Sequence, residues 1–109
     1  MDRIRVLLVD DQLLFRKGLR ALLEDRPEFE VIGEATDGRQ ALDMVEAMTP
    51  DVVLMDLNMP VCDGVEATRM IKTDFPSTRV VILTVSDEDE LEALRTETTP
   101  VSDVLSSIR

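Results

Sequence analysis

The stretch DVVLMDLNMPVCDG (residues 51–64) runs four apolar residues, 52–55, straight into a carboxylate at Asp56, then into Asn58, Pro60 and an Asp63-Gly64 turn. An apolar run without the alternation of a half-exposed strand suits a strand covered on both faces, as in a parallel sheet. IRVLLV (4–9) and VVIL (80–83) repeat the pattern, and FEVIGEA (29–35) repeats it more weakly. Between these runs apolar residues recur at helical spacing: Leu13, Leu14, Leu19, Leu22 and Leu23, then Ala41, Leu42, Val45 and Met48, then Val65, Met70 and Ile71. Asp37-Gly38 and Asp63-Gly64 supply acidic helix starts, while Pro27, Pro50 and Pro76 fall between elements. Strand and helix alternate, which predicts an α/β fold with right-handed crossovers, a doubly wound parallel sheet and ligands bound outside the carboxyl ends of the strands.

At 109 residues the chain is read as one domain, 1–109. Aromatic residues make up 3%, so the core is expected to be aliphatic, with Met44, Met48, Met55, Met59 and Met70 filling core and loops. Twelve basic against twenty-three acidic residues leave a net charge of −11, which repels phosphate backbones and anionic membranes. Direct nucleic-acid binding is therefore not expected. The single cysteine, Cys62, forms no internal disulfide, and the opening apolar run is too short for a signal peptide or a membrane span, so the expected location is the cytoplasm. With no histidine, an ordinary zinc site and a histidine-based dyad are excluded. Chemistry is left to carboxylates, hydroxyls or a hard cation.

Three loops follow buried strands at their carboxyl ends: VDDQ, MDLNMP and LTVS. If the first and third strands are neighbours, about 4.8 Å apart, Asp10, Asp11 and Asp56 meet in one small volume. Carboxylates so placed repel one another, and a divalent cation with oxygen ligands, Mg²⁺ above all, relieves the repulsion. Such a metal makes phosphoryl chemistry at Asp56 plausible, with Thr84 offering a hydroxyl to a phosphoryl oxygen. Taken singly, each residue reads blandly. A strand-end acid is commonly a solvated loop residue, an Asp pair caps the following helix, Asn58 and Asp63-Gly64 are turn chemistry, and Cys62 is an inert loop thiol. The joint occurrence carries the signal.

In order and spacing, LLVDDQ, DVVLMDLNMPVCDG and VVILTVS resemble the receiver domain of bacterial two-component response regulators. LLFRKGLRALLE, VIGEATDGRQAL and DGVEATRMIK are most similar to the NarL/LuxR class, whose receivers precede a helix-turn-helix DNA-binding domain; no such output domain lies in this chain. The resemblance implies a flavodoxin-like (CheY-like) sheet of order 2-1-3-4-5. It implies Asp56 as phosphoacceptor and Mg²⁺ ligand, Asp11 as direct Mg²⁺ ligand, Asp10 assisting through water, Asn58 lending its backbone carbonyl to the metal, and Thr84 as the hydroxyl that senses the phosphoryl group. The implied partner is a sensor histidine kinase. The implied function is a phosphorylation-dependent switch, not an enzyme, that controls homodimerisation or an attached DNA-binding domain.

The family also carries a lysine at the end of a fifth strand, whereas the lysines here are Lys17 and Lys72, both in predicted helices. The tail reads as an acidic helix over 87–95 and a second helix with Thr99 as cap and Pro100 in its first position. The fifth strand is therefore expected to be missing, with a gap of about ten residues, a strand and its loop, between roughly 94 and 99. Two other readings remain at this stage: an interaction module indifferent to phosphorylation, and a haloacid-dehalogenase-like phosphatase. The phosphatase needs a second acid where Asn58 stands.

Overall fold

The structure, a computed structural model, describes residues 3–56, 64–84 and 99–100. Its elements are β1 (Ile4–Val9), α1 (Leu13–Glu24), β2 (Phe29–Ala35), α2 (Gly38–Met48), β3 (Val52–Asp56), α3 (Gly64–Asp74), β4 (Arg79–Thr84) and β5 (Thr99–Pro100). The strands form one parallel sheet of order β2-β1-β3-β4-β5. The expected α/β architecture and strand order are what the chain adopts.

Both faces of the sheet are covered, which explains the unbroken apolar runs. Val6, Leu8, Val52, Leu54 and Val81 pack with Leu23 and Phe29 on the α1 side. Leu7, Val9, Val53, Met55, Val80 and Ile82 pack with Ala41, Val45, Ala67 and Ile71 on the α2–α3 side. Successive residues of one strand thus feed opposite layers.

Helix α2 starts as expected, with the Asp37 carboxylate accepting the Gln40 N–H at 2.8 Å. It ends at Thr49, whose left-handed backbone (φ 45°) turns the chain toward β3. Asp51 then joins three strands at their amino ends. It exchanges backbone hydrogen bonds with Arg5 and Arg79, each 2.9 Å, and its carboxylate accepts the Arg5 N–H at 2.9 Å.

Two expectations are corrected. Only two of the α1 leucines, Leu19 and Leu23, face the core: Leu14 is 84% and Leu22 70% exposed, and Leu13 is also exposed. The helix turns Arg16, Leu19 and Leu23 toward the sheet instead, because Arg16 and Arg20 reach Glu34 on β2. Thr99 and Pro100 are not a helix start but a two-residue strand, paired with Val81 and Ile82 of β4. Proline fits there because an edge position need not donate an outward N–H. Among the described residues the fifth position holds this short pairing and no strand of ordinary length. The remainder of the acidic tail, the Asn58 loop and Cys62 lie outside the described residues.

Candidate functional site

Strands β1 and β3 pair with Val6 opposite Val52 and Val9 opposite Met55. One step further along that register Asp10 comes beside Asp56. Carboxylate oxygens of Asp10, Asp11 and Asp56 lie within 4.8 Å of one another. The three acids predicted to meet are thus together, at the carboxyl end of the sheet. Asp56 is the last residue of β3 rather than the first of a loop, and it is only 5% exposed. Opposite β4 the register shifts between Met55 and Asp56, which sets the backbone of Thr84 against Asp56.

The three acids are not equivalent. Asp10 is 3% exposed and Asp11 faces solvent. The Asp10 backbone N–H donates to the Ala35 carbonyl at 3.0 Å, its Oδ1 accepts the Gln12 N–H at 2.8 Å, and its carbonyl accepts from Arg16 Nη1 at 2.6 Å. Burial pushes the Asp10 carboxyl above its ordinary value, and the charges of Asp56 and Asp11 add to the effect. The Gln12 N–H and the Arg16 guanidinium oppose it. The Asp pair does not cap α1 with a side chain: the capping position is Gln12, without a side-chain cap bond.

Sequence reasoning missed Arg16 and Glu34. Arg16 Nε donates to Glu34 Oε1 at 2.9 Å, and Arg20 Nη1 donates to Glu34 Oε2 at 2.6 Å. Burial would raise the Glu34 carboxyl, but the hydrogen bonds from Arg16 and Arg20 outweigh it and hold Glu34 below the ordinary range. Arg16, Leu19 and Leu23 at positions i, i+3 and i+7 give a signal that could have found this face. The leucine-rich arc beside it masks that signal.

The chemistry of the donor set matches a hard divalent cation, since all three groups are carboxylates, two buried and one open to water. Charge relief for Asp10 is the energetic reason such an ion fits.

Comparison with known proteins agrees with this geometry. Residues 6–106 match the response regulator receiver domain. The chain belongs to that family. This receiver domain is 42% identical over 88 residues to the transcriptional regulatory protein DegU of Brevibacillus brevis, a match covering 81% of this chain and 37% of DegU. It is 37% identical over 115 residues to the response regulator protein VraR of Staphylococcus saprophyticus, covering 97% of this chain and 55% of VraR. The receiver thus spans roughly two-fifths to a little over half the length of these curated relatives. The VraR match runs over 115 positions against 109 residues here, so VraR has at least 115 − 109 = 6 residues without a counterpart. The crystal structure of a LuxR-family two-component response regulator from Aurantimonas sp. SI85-9A1 superposes with a TM-score of 0.81 at 36% identity, covering 91% of this chain and 72% of that one.

The protein is therefore a receiver of the two-component response regulators, of the NarL/LuxR group, and the phosphatase alternative is set aside. Receivers are in general signalling domains that pair with sensor histidine kinases and use an acidic Mg²⁺ pocket. Among the described residues, no helix is long and apolar enough to cross a membrane.

Proposed function

We propose that Asp56 accepts a phosphoryl group from the phosphohistidine of a cytoplasmic sensor kinase. The observation that carries this reading is the meeting of Asp10, Asp11 and Asp56 within 4.8 Å at the ends of β1 and β3. An Asp56 oxygen attacks phosphorus, the P–N bond to imidazole breaks, and the imidazole leaves with a proton, giving an acyl phosphate. Asp11, the exposed acid, ligates the cation directly; Asp10 acts through water, and Asn58 lends its carbonyl. Mg²⁺ bound there supplies neutralisation for the charge that the transfer adds. Thr84, opposite Asp56 in the sheet register, answers the phosphoryl group with its hydroxyl. The added charge of nearly two is then read out through β4 as a change in self-association or in an attached helix-turn-helix output domain. The chain turns over no external substrate.

The gap proposed between about 94 and 99 is supported by the unmatched VraR residues and by the two-residue β5. The lysines of the chain do not replace the family's lysine: Lys17 is exposed on α1, and Lys72 is in the last turn of α3, at the other end of the sheet. That observation favours one second reading, an interaction module that no longer responds to phosphorylation. Incubation with Mg²⁺ and acetyl phosphate, followed by intact mass spectrometry, separates the two. The switch gains one phosphoryl mass that Asp56→Asn does not; no gain by the wild type supports the module, and gain by Asp56→Asn refutes the assignment of Asp56.

A further inference from the structure

We infer that Arg16 is a positioning residue for the acidic pocket, holding the Asp10–Asp11 peptide so that Asp11 meets the cation. The inference rests on the metal reading of that pocket. In α1 a side chain points back toward the helix start, and Arg16, one turn after the capping Gln12, reaches the carbonyl of Asp10 at 2.6 Å. That carbonyl belongs to the planar unit that also contains the Asp11 nitrogen and Cα. Fixing the oxygen therefore fixes the plane from which the Asp11 carboxylate departs. Asp11 has no such support from burial, since it faces solvent.

The guanidinium itself is held. Arg16 is 9% exposed, and its Nε is committed to Glu34 Oε1 at 2.9 Å. Glu34 is braced from its other oxygen by Arg20. The end of β2, through Ala35 O, grips the Asp10 nitrogen, while Glu34 on the same strand grips the arginine that holds the Asp10 oxygen. Residue Asp10 is thus held by β2 at both its backbone nitrogen and, through Glu34 and Arg16, its backbone oxygen. A fork of donors in fixed geometry performs this task, and a single ammonium does not.

Electrostatics alone gives the opposite sign, which makes the inference testable. Arg16 is a positive charge beside a cation site, so removing it without loss of geometry tightens cation binding. Loss of a supporting contact behind a metal ligand weakens affinity by about 10- to 100-fold. Mn²⁺ is titrated into the protein and free ion read by electron paramagnetic resonance, with thermal unfolding used to show that each variant is folded. Arg16→Met is expected to bind Mn²⁺ at least about tenfold more weakly than wild type, and Arg16→Lys to fall between. Lys17→Met, which removes the same charge from an exposed position of the same helix, is expected to retain wild-type affinity. Folded Arg16→Met with wild-type or tighter affinity overturns the inference; should that variant not fold, wild-type affinity in Arg16→Lys overturns it. If wild type fails to bind Mn²⁺, or Asp11→Asn binds it equally well, the metal reading falls and this one with it. Binding that Asp11→Asn loses and Arg16→Met keeps removes the positioning role alone.

Discussion

On the face covered by α2 and α3, Leu7, Val9, Val53 and Met55 meet Ala41, Val45, Ala67 and Ile71, all apolar and all buried. On the face covered by α1, Val6, Leu8 and Leu54 share their helix with Arg16 and Arg20, which hold Glu34 between them. The first face depends on close packing, which is strong and indifferent to charge. The second depends partly on directed hydrogen bonds, and one of these ends on the backbone of the acidic pocket. The face that packs less is the face that shapes the site.

The comparison breaks most sharply at Ile71. Ile71→Ala removes a fully buried side chain from the α2–α3 layer and is expected to cost about 2–5 kcal/mol in denaturant unfolding. A loss as small as that of an exposed residue would mean that this layer is not the one that carries the fold.

Next in size are two carboxylates on either side of Arg16, whose pH responses have opposite sign. Asp10 is held above its ordinary value of 3.8, so between that value and its raised one the native state binds more protons than the unfolded chain. Its contribution to stability therefore falls as pH rises through that window. Asp10→Asn keeps the oxygen that accepts from Gln12 and removes the charge; a gain of about 1 kcal/mol at neutral pH is expected, disappearing in acid. Glu34 is held below its ordinary value of 4.5, so its contribution is complete above that value and is lost as pH falls through the lowered one. Glu34→Gln should cost about 1 kcal/mol at neutral pH and little in acid. Melting curves across pH test both, and curves of one shape for the two variants would contradict the assignment.

The smallest effect is expected on the outer surface of α1. Leu22→Ala, at a 70% exposed position, should change stability by less than about 0.5 kcal/mol. A cost near that of Ile71→Ala would show that the leucine arc is covered in solution.

Which parts were legible in the sequence follows from the same contrast. Apolar period and strand-end acids are local signals, so the element order and the meeting of Asp10, Asp11 and Asp56 could be read from residue types alone. Arg16 was not legible because leucine outweighs arginine in any reading of α1 by hydropathy, while the partner that draws Arg16 inward, Glu34, lies eighteen residues away on another strand. Thr99-Pro100 carries the local chemistry of a helix start, but pairing with Val81 and Ile82 decides its conformation. Tertiary hydrogen bonds override local preference at both positions.

One consequence of Asp51 reaches the other end of the sheet. Apolar strands buried on both faces have no inside-outside alternation to forbid sliding, and a slip of one residue would exchange one aliphatic side chain for another. For VVLM such a slip is cheap in burial, yet it would carry Asp56 out of reach of Asp10. By bonding to Arg5 and Arg79 where β3 begins, Asp51 acts as an alignment key, its carboxylate on the Arg5 N–H marking the observed register of the three strands. The address of Asp56 is thus written five residues before it, by an exposed acid on the opposite edge of the molecule.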